Sequence, residues 1–285
     1  MIKLWRHTNC REPVATRWER NEQMRLGMMQ PYFFPYAGYF SLIHATDCWV
    51  VFDSAQYRRR AWVNRNRVLS DTSEGWDYIR IPVEHAARET RICDIRIDEK
   101  QLWIEQLLSQ LNVYRLRRAP CFSDVSEWLR STVRAAHDSN GAGRFSGLLI
   151  DLLKATCDHI GLAFPYQVFS HMNLQLPTNV PAGEWALEVA KALGAETYIN
   201  APGGRELFDP GLFASAGVRL EILEPALTPY RQGAAEFIPG LSILDLLMWN
   251  SPRQVRDLIS HYSLDEIRKT ASSRTPSASS RVSAL

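Results

Sequence analysis

Two stretches of this 285-residue chain carry an apolar run that stops abruptly at polar, glycine-rich or arginine-rich residues. The first is Met28-Met29-Gln30-Pro31-Tyr32-Phe33-Phe34-Pro35-Tyr36-Ala37-Gly38-Tyr39-Phe40, and the second is Thr197-Tyr198-Ile199-Asn200-Ala201-Pro202-Gly203-Gly204-Arg205-Glu206. Ligands of open α/β sheets bind in the crevice beyond the carboxyl ends of the strands, so residues just past a strand are the first candidates for chemistry. At the first stretch these are Gln30, Tyr32 and Tyr39. Two prolines and a glycine among aromatic rings make a stiff loop suited to a flat or sugar-like ligand, against the plainer alternative of a packed turn. At the second they are Asn200, Gly203, Gly204 and Arg205. Paired glycines let the backbone approach an anion at the start of a following helix, Arg205 adds charge, and Glu206 or Asp209 is available to orient a hydroxyl or amine.

A third set follows the next apolar run. Between Ser54 and Ser70 there are five arginines and no acid, interleaved with Tyr57, Trp62 and two asparagines. Guanidinium groups grip phosphate oxygens in pairs and stack on rings, so Gln56, Trp62, Asn64, Arg65, Asn66 and Arg67 are candidate contacts for a phosphorylated ligand, the alternative being a solvated basic loop. Three groups are candidate acids or bases: Asp53 directly after the strand-like run, His85 after another, and Asp245 beside Tyr230, Gln232 and Asn250. Asp245 stands three residues after Ser242, where a helix-capping box explains it without catalysis. Phosphate-loop and dinucleotide-binding glycine patterns are absent, and none of the few lysines stands at a strand end.

Composition narrows the class. With 46% apolar residues the chain can bury a large core, and a net charge of +2 is too small to predict a nucleic-acid or membrane partner. Five dispersed cysteines without a paired spacing predict a reduced, cytoplasmic protein with no structural zinc, and no cofactor is evident. No stretch has the roughly 18 apolar residues needed to span a bilayer.

The elements that position these residues can be read from periodicity. Leu26 to Gln30 and Cys48 to Phe52 read as strands around a helix from Gly38 to Ala45; Trp76 to Val83 and Arg91 to Ile97 read as a hairpin or meander. A helical layer follows from Glu99 to about Phe164, with Ser123 as a helix N-cap. Alternation then returns: strands at Tyr166 to Phe169, Glu196 to Ile199 and Val218 to Leu223, with helices at Ala182 to Leu193 and Leu207 to Ala216. The expected fold is α/β, a mixed and largely parallel sheet built from N- and C-terminal β-α-β segments with a central helical layer. Residues 1–23 read as a loosely ordered extension and 24–263 as the domain, divided at 98 and 164. Residues 264–285, rich in serine, read as a disordered tail.

Several of these segments in this order resemble the WbqC-like protein family. The resemblance runs from about Met28 to Tyr262 and rests on the opening Gln-Pro-Tyr-x-x-Pro-Tyr-x-Gly-Tyr-Phe, on Asp47 and Asp53, on Trp62-Val63-Asn64-Arg65-Asn66-Arg67, on Tyr198-Ile199-Asn200-x-x-Gly203-Gly204, and on Leu241-Ser242-Ile243-Leu244-Asp245-Leu246-Leu247-Met248. It implies a role in bacterial surface polysaccharide assembly, as an acyl or aminoacyl transferase acting on a nucleotide-activated amino sugar, with an unspecified donor. Arg65, Arg67 and Arg205 would then hold the diphosphate, Gln30, Tyr32, Asn64 and Asn200 the sugar, and Asp53 would be the base. Two alternatives stand beside it. One is a nucleotidyltransferase of the HIGH-motif type, since Pro35-Tyr36-Ala37-Gly38-Tyr39 occupies that motif's place with tyrosines instead of histidines. The other is a noncatalytic ligand-binding or scaffold protein.

Overall fold

Strand β1 (Arg25–Met29) is buried on both faces, as the central strand of a parallel sheet must be. In the computed structural model, which describes residues 23–141 and 143–267, it pairs in parallel with β2 (Cys48–Val51) on one side and β6 (Thr197–Asn200) on the other. The extension expected over residues 1–23 lies outside the described residues except for Gln23, as does the tail from 268 on. Beyond β2 comes β5 (Tyr166–Val168), and beyond β6 comes β7 (Arg219–Pro225), both parallel. The chain therefore steps from β1 to β2 to β5 in one direction, then returns to β6 and β7 in the other. The reversal opens a crevice between the carboxyl ends of β1 and β6.

Helices cover both faces, which makes this the expected α/β fold with a mostly parallel sheet. The larger core packs α1 (Ala37–His44), α4 (Phe122–Ser139), α5 (Phe145–Ile160), α8 (Ile243–Trp249) and α9 (Pro252–Ile259) around Trp49, Val51 and Ile199. Helices α2 (Trp103–Gln110) and α3 (Asn112–Leu116) join the same side through Trp103, Leu107 and Tyr114. The opposite face is closed by α6 (Trp185–Leu193) and α7 (Pro210–Ser215) over Leu26, Met28, Val50 and Tyr198.

Four expectations need correction. First, the hairpin partner of β4 (Trp76–Arg80) is β3 (Arg65–Leu69), while the expected partner run meets the end of the first only at an antiparallel bridge between Val83 and Ile97, and Ile92–Asp94 forms a short 3-10 turn. The alternation of β3 is hidden because its outward residues are arginines. Their guanidinium groups lie on aromatic rings, Arg65 4.1 Å from the Tyr78 centroid and Arg67 5.0 Å from that of Trp76, so a polar strand is still half-buried.

Second, folded chain continues past Ser263: β8 (Tyr262–Glu266) adds antiparallel to β7, and Ile267 donates its amide to the Leu220 carbonyl. An edge strand held by main-chain pairing needs few apolar side chains, so composition does not announce it. Third, α4 starts at Phe122 with Cys121 at its cap position, placing Ser123 inside the helix. Fourth, Ser242 caps α8 through the Leu244 amide, but Asp245 does not reciprocate. The complete capping box is formed by Ser251 and Gln254 at the start of α9.

Candidate functional site

Three segments far apart in sequence are knitted together at the end of β1. Phe33 donates its amide to the Trp62 carbonyl (3.3 Å), Ile243 to Pro35 (2.8 Å) and Ser242 to Arg67 (2.8 Å). Phe34 is held at a positive φ of 40°, a conformation unfavourable for a bulky side chain. Two donors fix its carbonyl: Asn66 Nδ2 at 3.0 Å and Ser242 Oγ at 2.8 Å. Asn66 also donates to the Phe33 carbonyl at 3.2 Å and accepts from the Arg67 amide, so its amide group is fully engaged in shaping the loop. Strain that is over-determined in this way clusters at functional sites.

Between these segments lies a cleft of about 200 Å³, walled by Tyr32, Tyr36, Trp62 and Arg67, with Pro35 and Gly240 completing it. Trp62 is 42% exposed, unusual for the largest apolar side chain. Arg67 lies 5.7 Å from the Trp62 ring and donates Nη2 to the Gly240 carbonyl at 3.1 Å, which leaves its remaining nitrogens unclaimed. Burial raises the phenol pKa of Tyr32 and of Tyr36, so both rings present neutral hydroxyls. The Tyr36 ring is pressed against Gly38, where an added Cβ would fall 2.5 Å from it. Helix α1 begins here with no side-chain cap.

Along β3 and the residue before it, three buried polar atoms have no partner: Asn64 Oδ1, Arg65 Nε and Arg67 Nε. Buried polar groups are nearly always satisfied, so this cluster marks a place where hydrogen bonds are missing. Asn64 does donate to the Ile81 carbonyl at 3.0 Å, and Arg65 donates to the Arg60 carbonyl.

Behind the cleft Asp245 is 0% exposed and accepts from Tyr114 Oη (2.8 Å), Gln232 Nε2 (2.9 Å) and Tyr230 Oη. Burial pushes its carboxyl up to about 6, against these hydrogen bonds, which favour the charged form. The network also fixes structure. Tyr114 accepts the Leu69 amide at the end of β3, and Gln232 clamps both the amide and the carbonyl of Ile238. Asp245 therefore anchors segment 230–240, which contributes Gly240 to the cleft.

Other expected site residues stand elsewhere. Tyr39 is fully buried and donates its hydroxyl to the Gln30 carbonyl at 2.9 Å, making it a strut inside the loop instead of a ligand contact. Gln30 is half-buried, and its side-chain amide has no hydrogen-bond partner among the described residues. Asp53 is 1% exposed and both oxygens accept from Ser170, from the amide at 2.9 Å and from Oγ at 2.6 Å. It borders a separate open depression of about 470 Å³ with Cys93 and His171. That geometry argues against Asp53 as the base, since its lone pairs hold the β5 end in place. Burial, more than the nearby Asp53, raises the Cys93 thiol, and burial lifts that of Cys48 to about 12, so neither is an activated nucleophile. His85 and Gln56 line a third hollow.

At the end of β6, Asn200 donates to Tyr198 Oη (3.0 Å) and accepts from the Ala201 amide (2.7 Å), so it serves its own turn. Arg205 is spanned by Glu224 and Asp265 at 3.0 and 3.1 Å, leaving no charge for a diphosphate. Asp209 caps α7 through the Gly211 amide. Gly204 permits close packing, with Asn200 and Phe208 atoms about where a Cβ would meet them, and Gly203 faces open space. Sequence reasoning missed Gly240, Tyr114, Arg88 and Ser170. Only the tertiary fold gives them a role.

Comparison with known proteins places these features in a group. The sequence profile of the WbqC-like protein family matches residues 30–257. The chain belongs to the WbqC-like protein family. The matched span begins at Gln30, at the mouth of the aromatic loop, and contains every wall of the cleft. An uncharacterized mycobacterial relative, Rv1507c of Mycobacterium tuberculosis, is 27% identical over 225 residues, covering 78% of this chain and 92% of that protein. No solved structure matches. Among the described residues no helix is long and apolar enough to cross a membrane, and no cluster of three or more His, Cys, Asp or Glu side chains is arranged for a metal ion.

Proposed function

We propose that this WbqC-like protein is a transferase that binds a nucleotide-activated amino sugar in the cleft at the end of β1 and passes an acyl or aminoacyl group to it, in bacterial surface polysaccharide biosynthesis. The observation that carries this is the cleft itself: exposed Trp62 and half-buried Tyr32 and Tyr36 around a guanidinium of Arg67 that no carboxylate neutralises among the described residues. Flat rings suit a base or sugar face, and an unneutralised arginine suits the adjoining phosphate. Asp245 serves as the positioning group for the cleft wall.

Mixing the full chain with a panel of amino-bearing nucleotide sugars should give a thermal upshift that Trp62→Ala and Arg67→Gln reduce. No shift with any of them, or a shift indifferent to both substitutions, would sink the proposal. Activity as a transferase is then read by mass: product gains the acyl group only when donor and acceptor are both present.

A second reading is favoured by one observation. The parallel strand order, with the chain reversing beside β1 and Tyr36, Gly38 and Tyr39 at the start of α1, is also a nucleotide-binding arrangement. It predicts release of pyrophosphate from a nucleoside triphosphate, which the sugar-acylation reading does not.

A further inference from the structure

The basic hollow beside His85 is separate from the cleft and has its own logic. Segments 56–59 and 85–88 enclose an open depression of about 610 Å³ into which Arg58, Arg59 and Arg88 contribute. Elsewhere the arginines Arg25, Arg91, Arg117, Arg134 and Arg205 each meet a carboxylate within 4.0 Å. Among the described residues no carboxylate comes that close to Arg58, Arg59 or Arg88, so three positive charges stand together without a counterion from the protein.

The hollow is also built, not merely charged. Arg59 Nη2 lies 2.7 Å from His85 Nδ1. A guanidinium has no lone pair to offer, so Arg59 donates and His85 Nδ1 accepts, which puts the imidazole proton on Nε2. Arg59 is thus oriented by a neutral partner that leaves its charge intact. The two lips are tied to each other by Tyr57 N to the Thr90 carbonyl (2.8 Å), Ile92 N to Ala55 (2.9 Å) and Gln56 Nε2 to Arg88 (2.5 Å). Arg60, at a positive φ of 63°, closes the turn that begins at Arg58, and its carbonyl is taken by Arg65. Holding the Arg59 fork in place before a ligand arrives lowers the entropy lost on binding.

We propose that this hollow is a second anion site, taking the diphosphate group of a small molecule. Guanidinium forks match phosphate oxygens in pairs, and three of them exceed what one phosphate can neutralise. The inference does not depend on the sugar-binding cleft.

The test is calorimetric titration of the full chain with inorganic pyrophosphate, beside orthophosphate and a single-stranded oligonucleotide. Pyrophosphate should bind more tightly than orthophosphate, weaken at least tenfold in the double variant Arg59→Gln/Arg88→Gln, and change less than twofold in Arg205→Gln. These side chains are exposed, and an unchanged melting temperature would verify that the double variant is folded. The proposal is overturned by absence of pyrophosphate binding, by equal binding in the double variant, by an equal loss in Arg205→Gln, or by binding of the oligonucleotide alone. None of those results touches the cleft, whose own test is the effect of Trp62→Ala on nucleotide-sugar binding.

Discussion

The ends of β1 and β6 flank the same crevice and read alike in sequence, each an apolar run ending in polar residues, yet they are chemically opposite. At β6, Asn200 satisfies Tyr198 and Ala201, Arg205 is matched by Glu224 and Asp265, and Asp209 caps its helix. The three polar side chains singled out there are all engaged. At β1 the loop is strained at Phe34, braced by residues from β3 and the start of α8, and bordered by rings and a guanidinium with spare donors. A polar residue after a strand becomes a binding group only when the local backbone does not consume its hydrogen bonds.

The largest expected effect comes from removing the anchor behind the cleft. Asp245→Ala strands the Tyr114, Tyr230 and Gln232 donors in the core and should cost about 3–5 kcal/mol in urea denaturation. A loss below about 1 kcal/mol would mean that the network is not buried as described. Its pH dependence has a definite sign. Because the folded carboxyl is raised from 3.8 to about 6, protonated Asp245 favours the folded state. Its contribution is full below pH about 4 and is lost as pH rises through 6. Asp245→Asn should therefore flatten the fall in melting temperature between pH 4 and 7, and an unchanged slope would contradict this.

Smaller but more discriminating is a pair of asparagines. Asn66→Ala and Asn200→Ala each remove a buried, bonded amide and should each cost about 1–3 kcal/mol. Only the first should also abolish nucleotide-sugar binding, because only Asn66 shapes the cleft; equal effects on binding would erase the contrast between the two strand ends. Next, Trp62→Ala should weaken binding about tenfold while changing stability by less than about 1 kcal/mol, as befits an exposed ring. Smallest of all, Arg205→Ala should leave binding unchanged and lower the melting temperature slightly, by an amount that added salt removes.

Much of this was open to sequence reasoning. Leu26 to Met29, Cys48 to Val51 and Thr197 to Asn200 are short buried runs whose apolar character needs a parallel sheet, and the two groups of β-α-β segments imply helices on both faces. Tyr32, Trp62, Asn66 and Arg67 were recognisable as neighbours of strand ends and do meet in one cleft. What stayed hidden is what depends on partners distant in sequence. Arg65–Leu69 looks like a loop until Tyr78 and Trp76 are seen beneath its guanidinium groups. Asp53 looks like a base until Ser170 occupies both oxygens, and Arg205 looks free until β8 brings Asp265 alongside. Asp245 at three residues from Ser242 imitates a capping box, but its real partners, Tyr114 and Tyr230, lie on other segments.

The most direct measurement is a crystal structure of the protein soaked with an amino-bearing nucleotide sugar. Ring density against Trp62 and Tyr36, with a phosphate oxygen within hydrogen-bond distance of Arg67, is the expected result. Ligand density beside Asp53, or in the turn from Asn200 to Arg205, with the β1 cleft empty, would contradict it.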